Sequence, residues 1–275
     1  MPTWLITGCS TGLGRALAAT VLDRGDSVVV TARDAATVDD LARSYPDTAL
    51  ALPLDVTDHT QRCEVVRAAQ ERFGAVDVLV NNAGHGYRAA VEEADDDQVQ
   101  ELFATNFFGP VALIQALLPA MRERRSGTIV NISSIGARTS PIGAGHYAAT
   151  KAALEALTAA LGKEVQPLGL TTMAVEPGAF RTNYKRSLTR SREVIGDYAD
   201  SVGARRTEDL TEDGLQPGDP YRAAEAIIAA VQSLQTPQVL VLGLDALTAF
   251  RDSIKGLNGD LDAWEETSVS TGFRA

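Results

Sequence analysis

Two side chains that can carry and stabilise a proton lie four residues apart in an alanine-rich stretch of the chain. Tyr147 and Lys151 are the first and last residues of Tyr-Ala-Ala-Thr-Lys. This spacing places them on one face of a helix, about one turn apart. A cation beside a phenol favours the phenolate and lowers its pKa, so we expect Tyr147 to act as an acid or base. An ordinary exposed pair on a helix is the alternative.

Two polar residues upstream add to this pair. Ser134 lies thirteen residues before Tyr147, at the end of an apolar run, and can offer a second hydroxyl to the same substrate atom. Asn106 precedes Pro110 by four residues in a helical segment. Because proline has no backbone N–H, the carbonyl of Asn106 loses its usual helical donor and is available to another partner. A simple proline kink is the alternative.

A glycine-rich turn near the N-terminus predicts a nucleotide site. The first apolar run ends at Thr7, and three glycines follow as the chain enters a helix. Glycine lets the backbone approach a pyrophosphate, and the helix N-terminus offers free N–H groups and partial positive charge. A purely structural turn is the alternative. We expect the turn to bind a dinucleotide through Thr7, Gly8, Ser10, Thr11, Gly12, Leu13 and Gly14. Together with an activated tyrosine, this turn indicates a redox enzyme.

Composition disfavours several other classes of protein. The chain has 275 residues, of which 45% are hydrophobic and 22% charged, as in a soluble globular protein. Its net charge of -11 would repel a nucleic acid. Two cysteines and three histidines without ligand spacing predict neither disulfides nor a metal site. No apolar run approaches the ~20 residues of a membrane span, and no signal peptide is evident. We therefore expect a soluble, cytoplasmic protein without a membrane partner.

Apolar runs alternate with helical stretches along the chain, which predicts an α/β fold with a doubly wound parallel sheet and helices on both faces. Seven runs predict strands: Trp4 to Thr7, Val28 to Thr31, Ala49 to Leu54, Val76 to Val80, Thr128 to Ile132, Thr171 to Val175 and Val239 to Leu242. We expect residues 1–275 to form a single domain. Residues 181–220 are long and polar, which predicts a substrate-binding segment or lid. Residues 244–275 predict a C-terminal helical extension that packs on the body or on a neighbouring subunit.

In these residues the chain resembles the short-chain dehydrogenase/reductase family, in its smaller single-domain branch. The matching pieces occur in family order: Thr7-Gly8-x3-Gly12-x-Gly14, Asp55-Val56, Asn81-Asn82-Ala83-Gly84, Asn106, Ser134, Tyr147-x3-Lys151 and Pro177-Gly178. Within the family, residues 81–87 and 176–182 are most similar to the 17β-hydroxysteroid-dehydrogenase-like carbonyl reductases. The resemblance implies a Rossmann-type sheet of about seven strands in the order 3-2-1-4-5-6-7, and a homodimer or homotetramer.

The resemblance also implies a role for each matching residue. Tyr147 would donate a proton to a carbonyl oxygen or accept one from an alcohol, Lys151 would hold a nicotinamide-ribose hydroxyl, and Ser134 would orient the substrate oxygen. Asn106 would hold a water that links the lysine to solvent. The remaining residues would contact the dinucleotide: Asp55 and Val56 at the adenine, Asn82, Ala83 and Gly84 beside adenine and ribose, and Pro177, Gly178, Phe180 and Thr182 at the nicotinamide.

The end of the second predicted strand favours NADP(H) over NAD(H). Family members that use NAD place an acidic residue there, whereas this chain has Ala32 followed by Arg33. Alanine removes the charge that would repel a 2′-phosphate, and Arg33 can bind that phosphate. Asp34 can instead cap a helix, or pair with Arg33 and weaken the preference, so NAD(H) stays possible.

Three functions are compatible with this pattern. The leading hypothesis is an NADP(H)-dependent oxidoreductase that interconverts a ketone or aldehyde and an alcohol, acting on a small molecule. A ketoreductase for carrier-linked acyl chains is the second, with a basic segment as docking site: Lys185, Arg186, Arg190, Arg192, Arg205 and Arg206. A dinucleotide-binding regulator without turnover is the third, although it would have no use for the proton-transfer groups.

Overall fold

Parallel strands form the centre of the protein in this computed structural model, which describes residues 1–211 and 214–273, except for the side chains of residues 185, 186 and 208–211. The strands in the described part are β1 (Thr3–Ile6), β2 (Ser27–Ala32), β3 (Ala49–Pro53), β4 (Val78–Asn81), β5 (Tyr87–Arg88), β6 (Gly127–Ile132), β7 (Leu170–Pro177), β8 (Thr189–Arg190) and β9 (Val239–Leu242). Seven of them form one sheet in the order β3-β2-β1-β4-β6-β7-β9, and all its pairs are parallel. Among the described residues, strands β5 and β8 pair only with each other. Without those two, the order is the predicted 3-2-1-4-5-6-7, so the predicted fold is confirmed.

Helices cover both faces of this sheet. They are α1 (Gly12–Asp23), α2 (Asp39–Ser44), α3 (His59–Phe73), α4 (Asp96–Phe103), α5 (Gly109–Arg124), α6 (Gly136–Thr139), α7 (Gly145–Val165), α8 (Ala204–Thr211), α9 (Pro220–Val231) and α10 (Leu244–Val269). Successive side chains of β1 point to opposite faces, as the pleat of a strand requires. Trp4 and Ile6 pack with the side chains of α1 and α9, and Leu5 packs with those of α3, α5 and α7. The sheet is therefore buried on both faces, which explains why its strands are almost continuously apolar.

The helical segment that contains Asn106 and Pro110 is interrupted. Helix α4 passes through a π-helical turn, Ala104–Phe108, before α5 begins with Pro110 in its first turn. The proline that lacks an N–H thus lies beside a local change in the helical hydrogen-bond ladder, as expected at Asn106. By length and mean hydropathy alone, residues 96–124 meet the criteria for a membrane-spanning helix, which core helices of soluble proteins also meet. By this measure, the expectation that no stretch of the chain has this character is wrong. Its side chains Leu102, Leu113 and Leu117 are buried in the domain.

Residues 181–220 leave the sheet at the end of β7 and return at α9. The described part of this segment contains short helical turns, β8 and α8. Residues 212 and 213 lie outside the described residues. Strand β8 pairs in parallel with β5, so the segment joins the loop that follows β4. It therefore lies over the same end of the sheet as the glycine-rich turn.

Candidate active site

The carboxyl ends of the sheet strands open into one cleft of about 1000 Å³. Most of the predicted site residues line it: Gly8, Ser10, Thr11, Gly12, Leu13, Arg33, Asp55, Val56, Asn82, Ala83, Gly84, Ser134, Tyr147, Lys151, Pro177, Gly178, Phe180 and Thr182. Loops at the carboxyl ends of parallel strands are where open α/β sheets bind ligands. The sequence motifs, scattered over 175 residues of chain, therefore meet in one place.

Three predicted site residues, Thr7, Gly14 and Asn106, do not line the cleft but lie behind its wall. The Thr7 hydroxyl accepts the backbone N–H groups of Asn82 and Ala83 at 3.0 and 2.9 Å. The Asn82 amide nitrogen donates to the backbone oxygens of Thr7 and Gly8, at 2.8 and 3.1 Å. A side chain at Gly14 would overlap the Asn82 amide. Thr7 and Gly14 thus hold the turn against β4, and their contact with a dinucleotide stays a prediction.

The turn itself requires glycine at two positions. Gly8 has a φ of +71°, and a Cβ there would come within 2.9 Å of the Ala83 Cα. Gly12 has a φ of +63°, and its Cβ would come within 3.3 Å of Thr182. A positive φ costs glycine little but strains other residues. These glycines keep the backbone close to the neighbouring loops and leave room in the cleft for a ligand.

Arg33 and Asp55 lie in the cleft at the ends of β2 and β3. The Asp34 side chain accepts the backbone N–H of Ala36 at 3.0 Å, so it caps a short helical turn. No ion pair of Arg33 occurs among the described residues, which removes the predicted pairing with Asp34. Burial alone would raise the pKa of Asp55, but hydrogen bonds from Thr57 and the nearby charge of Arg33 outweigh it and lower the pKa. The cleft thus holds a carboxylate and a guanidinium close enough to interact.

The hydroxyls of Ser134 and Tyr184 both hydrogen-bond to that of Tyr147. The rings of Tyr147 and Tyr184 lie 5.9 Å apart, centroid to centroid. Burial raises the pKa of the Tyr147 phenol, and the two hydrogen bonds oppose the shift only in part. The three hydroxyls form one cluster at the cleft wall, and Tyr147 is held as a protonated phenol near neutral pH.

Lys151 lies below this cluster on α7 and is almost completely buried. Its Nζ donates to the backbone oxygen of Ile132 at 2.8 Å and lies 5.9 Å from the centre of the Tyr147 ring. Burial lowers the pKa of Lys151 to about 8, and the charge of Glu155 opposes that shift. The expectation that Lys151 lowers the pKa of Tyr147 is therefore wrong for the protein's own groups, because burial is the largest influence on the pKa of both side chains.

Asn106 connects the site to helix α7. Its side-chain nitrogen donates to the backbone oxygen of His85 at 2.9 Å and to the Thr150 hydroxyl at 3.2 Å. Its side-chain oxygen accepts the backbone N–H of His85 at 3.1 Å. The side chain is fully buried, so these bonds fix the loop after β4 against the residue that precedes Lys151. Asn106 thus supports the site through its side chain, a contact that the proline argument does not predict.

A buried group of charges lies behind Lys151 and escaped the sequence analysis. The Ser133 hydroxyl donates to Glu155 at 2.5 Å, and Arg138 contacts both Glu155 and the fully buried Glu176, at 3.1 and 2.9 Å. Burial, together with the charge of Glu176, raises the pKa of Glu155 to about 7. The available signal was the four-residue spacing from Lys151 to Glu155, which places both on one face of α7.

Two of the cleft residues that were not predicted, Tyr184 and Asp245, lie late in the chain, outside every matching motif. Tyr184 and Asp245 line the cleft, and the Asp245 carboxylate accepts the backbone N–H of Ala179 at 2.7 Å. Tyr184 belongs to the segment predicted to contact substrate, but its identity alone gave no signal. Asp245 lies in the first turn of α10, where a carboxylate is a common helix residue.

The fold and the cleft define a dinucleotide-binding α/β protein with a tyrosine–lysine site. Residues 2–193 match the family described as short chain dehydrogenase, and the chain belongs to this family. It is 32% identical over 269 residues to Oxidoreductase BOA17 of Botryotinia fuckeliana, covering 98% of each chain. A short-chain dehydrogenase from Streptomyces avermitilis has a TM-score of 0.92 and 44% identity, covering 99% of this chain and all of that one. A 3-ketoacyl-(acyl-carrier-protein) reductase from Brucella melitensis, complexed with NADH, has a TM-score of 0.74 and 27% identity, covering 88% of this chain and 96% of that one.

Family membership makes the protein an oxidoreductase of the short-chain dehydrogenase/reductase type. The predicted family is therefore confirmed. The similarity to 17β-hydroxysteroid-dehydrogenase-like carbonyl reductases stays a prediction, as do the roles of the individual site residues.

Proposed function

We propose that the protein uses NADP(H) to interconvert a ketone or aldehyde and an alcohol, with Tyr147 as the proton donor or acceptor. The observation that carries this proposal is the meeting of Ser134, Tyr147 and Lys151 in the same cleft as the glycine-rich turn. A nucleotide site and a proton-transfer group are the two parts that such a reaction requires.

The residues of the cleft fit a dinucleotide. Gly8 and Gly12 line the cleft without a side chain, and the start of α1 offers backbone N–H groups to phosphates. Asp55 and the loop of Asn82, Ala83 and Gly84 would hold the adenosine, with Pro177, Gly178, Phe180 and Thr182 at the other end. When bound, the dinucleotide supplies the hydride acceptor or donor.

The protein's own groups would then manage the proton. Ser134 and Tyr147 would bind the substrate oxygen with two hydroxyls, and the protonated Tyr147 would donate its proton as the carbonyl becomes an alcohol. Because burial raises the pKa of Tyr147, the acid form dominates at neutral pH, which favours the reductive direction. Lys151 would bind ribose hydroxyls. Ile135, Pro141 and Leu188 line the cleft and would suit a moderately apolar substrate.

The preference for NADP(H) rests on Arg33. It lines the cleft beside Ala32, and Asp34 is engaged as a helix cap and leaves the guanidinium available to a 2′-phosphate. A charge-assisted hydrogen bond contributes about 1.5–3 kcal/mol, which predicts that Arg33→Ala raises the KM for NADPH roughly 10- to 100-fold and changes that for NADH little. Initial rates with both cofactors test this. An equal effect on the two cofactors would contradict the assignment.

The acyl-carrier alternative receives less support. Of the basic residues that suggested a docking site, Arg192 pairs with Asp95 and Asp97, and Arg206 pairs with Glu93. The side chains of Lys185 and Arg186 lie outside the described residues. At least two of the six charges thus hold the segment to the body.

The proposed reaction is tested with NADPH consumption on a panel of ketones, aldehydes and acyl-thioester mimics. Tyr147→Phe should lower kcat by about 10²–10⁴ and leave the Kd for NADPH unchanged, because the mutation removes only the transferable proton. Tyr184→Phe is the matched control, since it removes a neighbouring hydroxyl from the same cluster. Equal activity of wild type and Tyr147→Phe would reject the mechanism. Tight NADPH binding without turnover on any compound would support the regulator instead.

A further inference from the structure

The C-terminal helix α10 carries an apolar stripe with a strict spacing of three and four residues. The stripe consists of Leu247, Phe250, Ile254, Leu257, Leu261 and Trp264. Alternation of three and four is the heptad pattern of a coiled-coil seam, in which these side chains would occupy the two core positions of each heptad. A helix that packs on a globular core usually has a wider apolar face. The narrow stripe therefore indicates a helix as its partner.

Most of this stripe is not covered by the body of the protein. Phe250 lies under Arg138, whose guanidinium is 5.1 Å from the ring centre, and the Ser253 hydroxyl donates to the backbone oxygen of Arg138 at 3.5 Å. Every described residue after Ser253 is exposed. Leu257, Leu261 and Trp264 are 60%, 67% and 64% exposed. Four helical turns thus extend from the body with their apolar side chains in water.

The helix is also poorly suited to stand alone. Gly256 and Gly259 lie in its exposed part, and a Cβ at either position would meet nothing within 4 Å. Glycine disfavours a helix that no packing supports, and most helical stability in proteins comes from packing of an apolar face. Neither glycine belongs to the stripe, so both lie away from the seam. A covered stripe would supply the stability that the sequence of the helix does not.

The charges of the helix restrict the partner. Between residues 251 and 266 there are two basic residues, Arg251 and Lys255, and five acidic ones, Asp252, Asp260, Asp262, Glu265 and Glu266. This excess of negative charge disfavours an anionic membrane surface, which amphipathic helices bind through lysine and arginine. In a parallel pair of these helices, Asp260 of each would flank Glu265 of the other, and like charges there are unfavourable. An antiparallel pair avoids both of these contacts.

We propose that α10 pairs with α10 of a second copy of this chain in an antiparallel helix pair. In the antiparallel register Leu247 packs against the partner's Trp264, Phe250 against the partner's Leu261, and Ile254 against the partner's Leu257. Each layer thus combines one residue from each of the two core positions, and a two-fold axis relates the halves, as in most soluble homodimers. The antiparallel register places the two bodies at opposite ends of the pair.

This arrangement brings the second copy close to the cleft. Leu247 comes two residues after Asp245, which lines the cleft and accepts the Ala179 N–H. The partner's Trp264 covers Leu247, so the end of the partner helix lies beside the cleft wall. The first turn of α10 is then held from both sides, by the body and by the second subunit.

The mass of the particle in solution tests the pairing. We expect light scattering after size exclusion to give the wild-type protein at least twice the 29.1 kDa of one chain. Leu257→Glu should halve the wild-type mass, since it places a charge in the seam. Ala263→Glu is the matched control, because it adds the same side chain to an exposed position of α10 outside the stripe, and its mass should equal the wild-type value. A monomeric wild type, an unchanged mass for Leu257→Glu, or a lowered mass for both variants would overturn the proposal.

Tryptophan fluorescence gives a second readout that does not depend on mass. The chain has two tryptophans; Trp4 is 1% exposed and Trp264 is 64% exposed on one chain. In the pair Trp264 should be shielded, so iodide quenching should be weak in the wild type and strong in Leu257→Glu. Thermal melting confirms that the variant is folded, which is expected because Leu257 contacts solvent in the single chain. Strong quenching in the wild type would contradict the pairing.

Cross-linking distinguishes the two orientations. In a Cys63→Ser background, which removes the exposed native thiol, Leu247→Cys and Trp264→Cys are oxidised separately and as a mixture. The mixture alone should give a disulfide-linked dimer, because residue 247 meets residue 264 only in the antiparallel register. A dimer formed by Leu247→Cys alone would indicate a parallel pair and contradict the proposal.

Discussion

The two long walls of the cleft are built by different interactions. The dinucleotide wall, formed by residues 8–13 and 82–84, is held by neutral hydrogen bonds among Thr7 behind it and Gly8, Asn82 and Ala83. The segment wall, formed by residues 181–211, is held by charges across about 100 residues of chain. The first wall depends on the absence of side chains at its glycines, and the second depends on paired side chains. We therefore expect shape changes to damage the first wall and charge changes to damage the second.

The segment wall is centred on one buried carboxylate. Glu93 is 3% exposed and accepts the backbone N–H groups of Ala90 and Ile195, at 2.8 and 2.9 Å. Arg206 donates to the same carboxylate at 2.7 Å and also to the Ser191 hydroxyl at 2.8 Å. Burial would raise the pKa of Glu93, but these N–H donors and the Arg206 charge outweigh it and lower the pKa. Glu93 thus ties two parts of the segment to the loop before α4.

The largest effect is expected from adding a side chain at Gly14, directly behind the dinucleotide wall. In Gly14→Ala the new methyl group would overlap the Asn82 amide and come within 2.5 Å of the Gly8 oxygen. Because both neighbours are tied to the backbone, the turn must move, and overpacking of this kind costs about 1–3 kcal/mol. We expect the Kd for NADPH to rise at least about 100-fold, as measured by fluorescence titration. The reason is that the backbone N–H groups of the glycine-rich turn and of the start of α1 would no longer lie at the positions that bind the phosphates.

Gly256→Ala is the matched control for this substitution. A Cβ at Gly256 meets nothing within 4 Å, and alanine favours a helix over glycine by about 0.8–1.0 kcal/mol. This variant should melt at a higher temperature and bind NADPH as the wild type does. If Gly14→Ala binds NADPH normally, the shape of the dinucleotide wall does not depend on the missing side chain at Gly14. The proposed difference between the two walls would then be contradicted.

Lys151 lies between the walls, and its burial predicts a trade of stability for activity. A pKa lowered from 10.5 to about 8 means that folding disfavours the ammonium. Lys151→Met removes this cost and the bond to the Ile132 oxygen, so the free energy of unfolding at pH 7 should rise by about 2 kcal/mol. Turnover should be lost. Urea denaturation of both proteins measures the difference.

The pH dependence gives the sign of this effect. A lowered pKa of a base means that the unfolded chain binds more protons, so wild-type stability rises with pH between about 8 and 10.5. The advantage of Lys151→Met should therefore be complete below pH 8 and shrink toward pH 10.5. An advantage that does not change with pH would show that burial of the Lys151 ammonium does not destabilise the fold.

The two walls also differ in how far the sequence predicts them. The strands and the glycine turn follow from patterns within about ten residues, where spacing fixes which groups face the same side. The order of the strands in the sheet was implied by the family resemblance and not by any local pattern. Arg206 and Glu93 lie 113 residues apart, and nothing local in either indicates the other. The predicted lowering of the Tyr147 pKa is also wrong, because the burial of Tyr147 depends on the segment that contains Tyr184. Local spacing predicts which side chains meet, while their electrostatics depends on the packed structure.

The smallest effect is expected from the segment wall, where one buried and one exposed ion pair can be compared. Glu93→Gln keeps a side chain that can accept the N–H of Ala90 but removes the charge that Arg206 binds. Since a hydrogen bond between charged groups contributes about 1.5–3 kcal/mol, partly offset by the remaining amide, we expect a roughly tenfold higher substrate KM. Hydrogen exchange in residues 181–211 should become faster, and the Kd for NADPH should stay unchanged because the other wall is intact.

Arg192→Ala is the exposed counterpart. Arg192 and Asp97 are 64% and 65% exposed at the side chain, so water and salt weaken their attraction. The variant should change KM less than about twofold.

The stability of the two variants should also depend differently on acid. The Glu93 carboxylate, whose pKa is lowered by folding, stabilises the fold above its unfolded pKa of 4.5 and loses that effect as pH falls through its folded pKa. The difference between wild type and Glu93→Gln should therefore fade below pH 4.5. If Arg192→Ala opens the segment as much as Glu93→Gln does, the wall is held by the total charge between the two regions and not by the buried carboxylate.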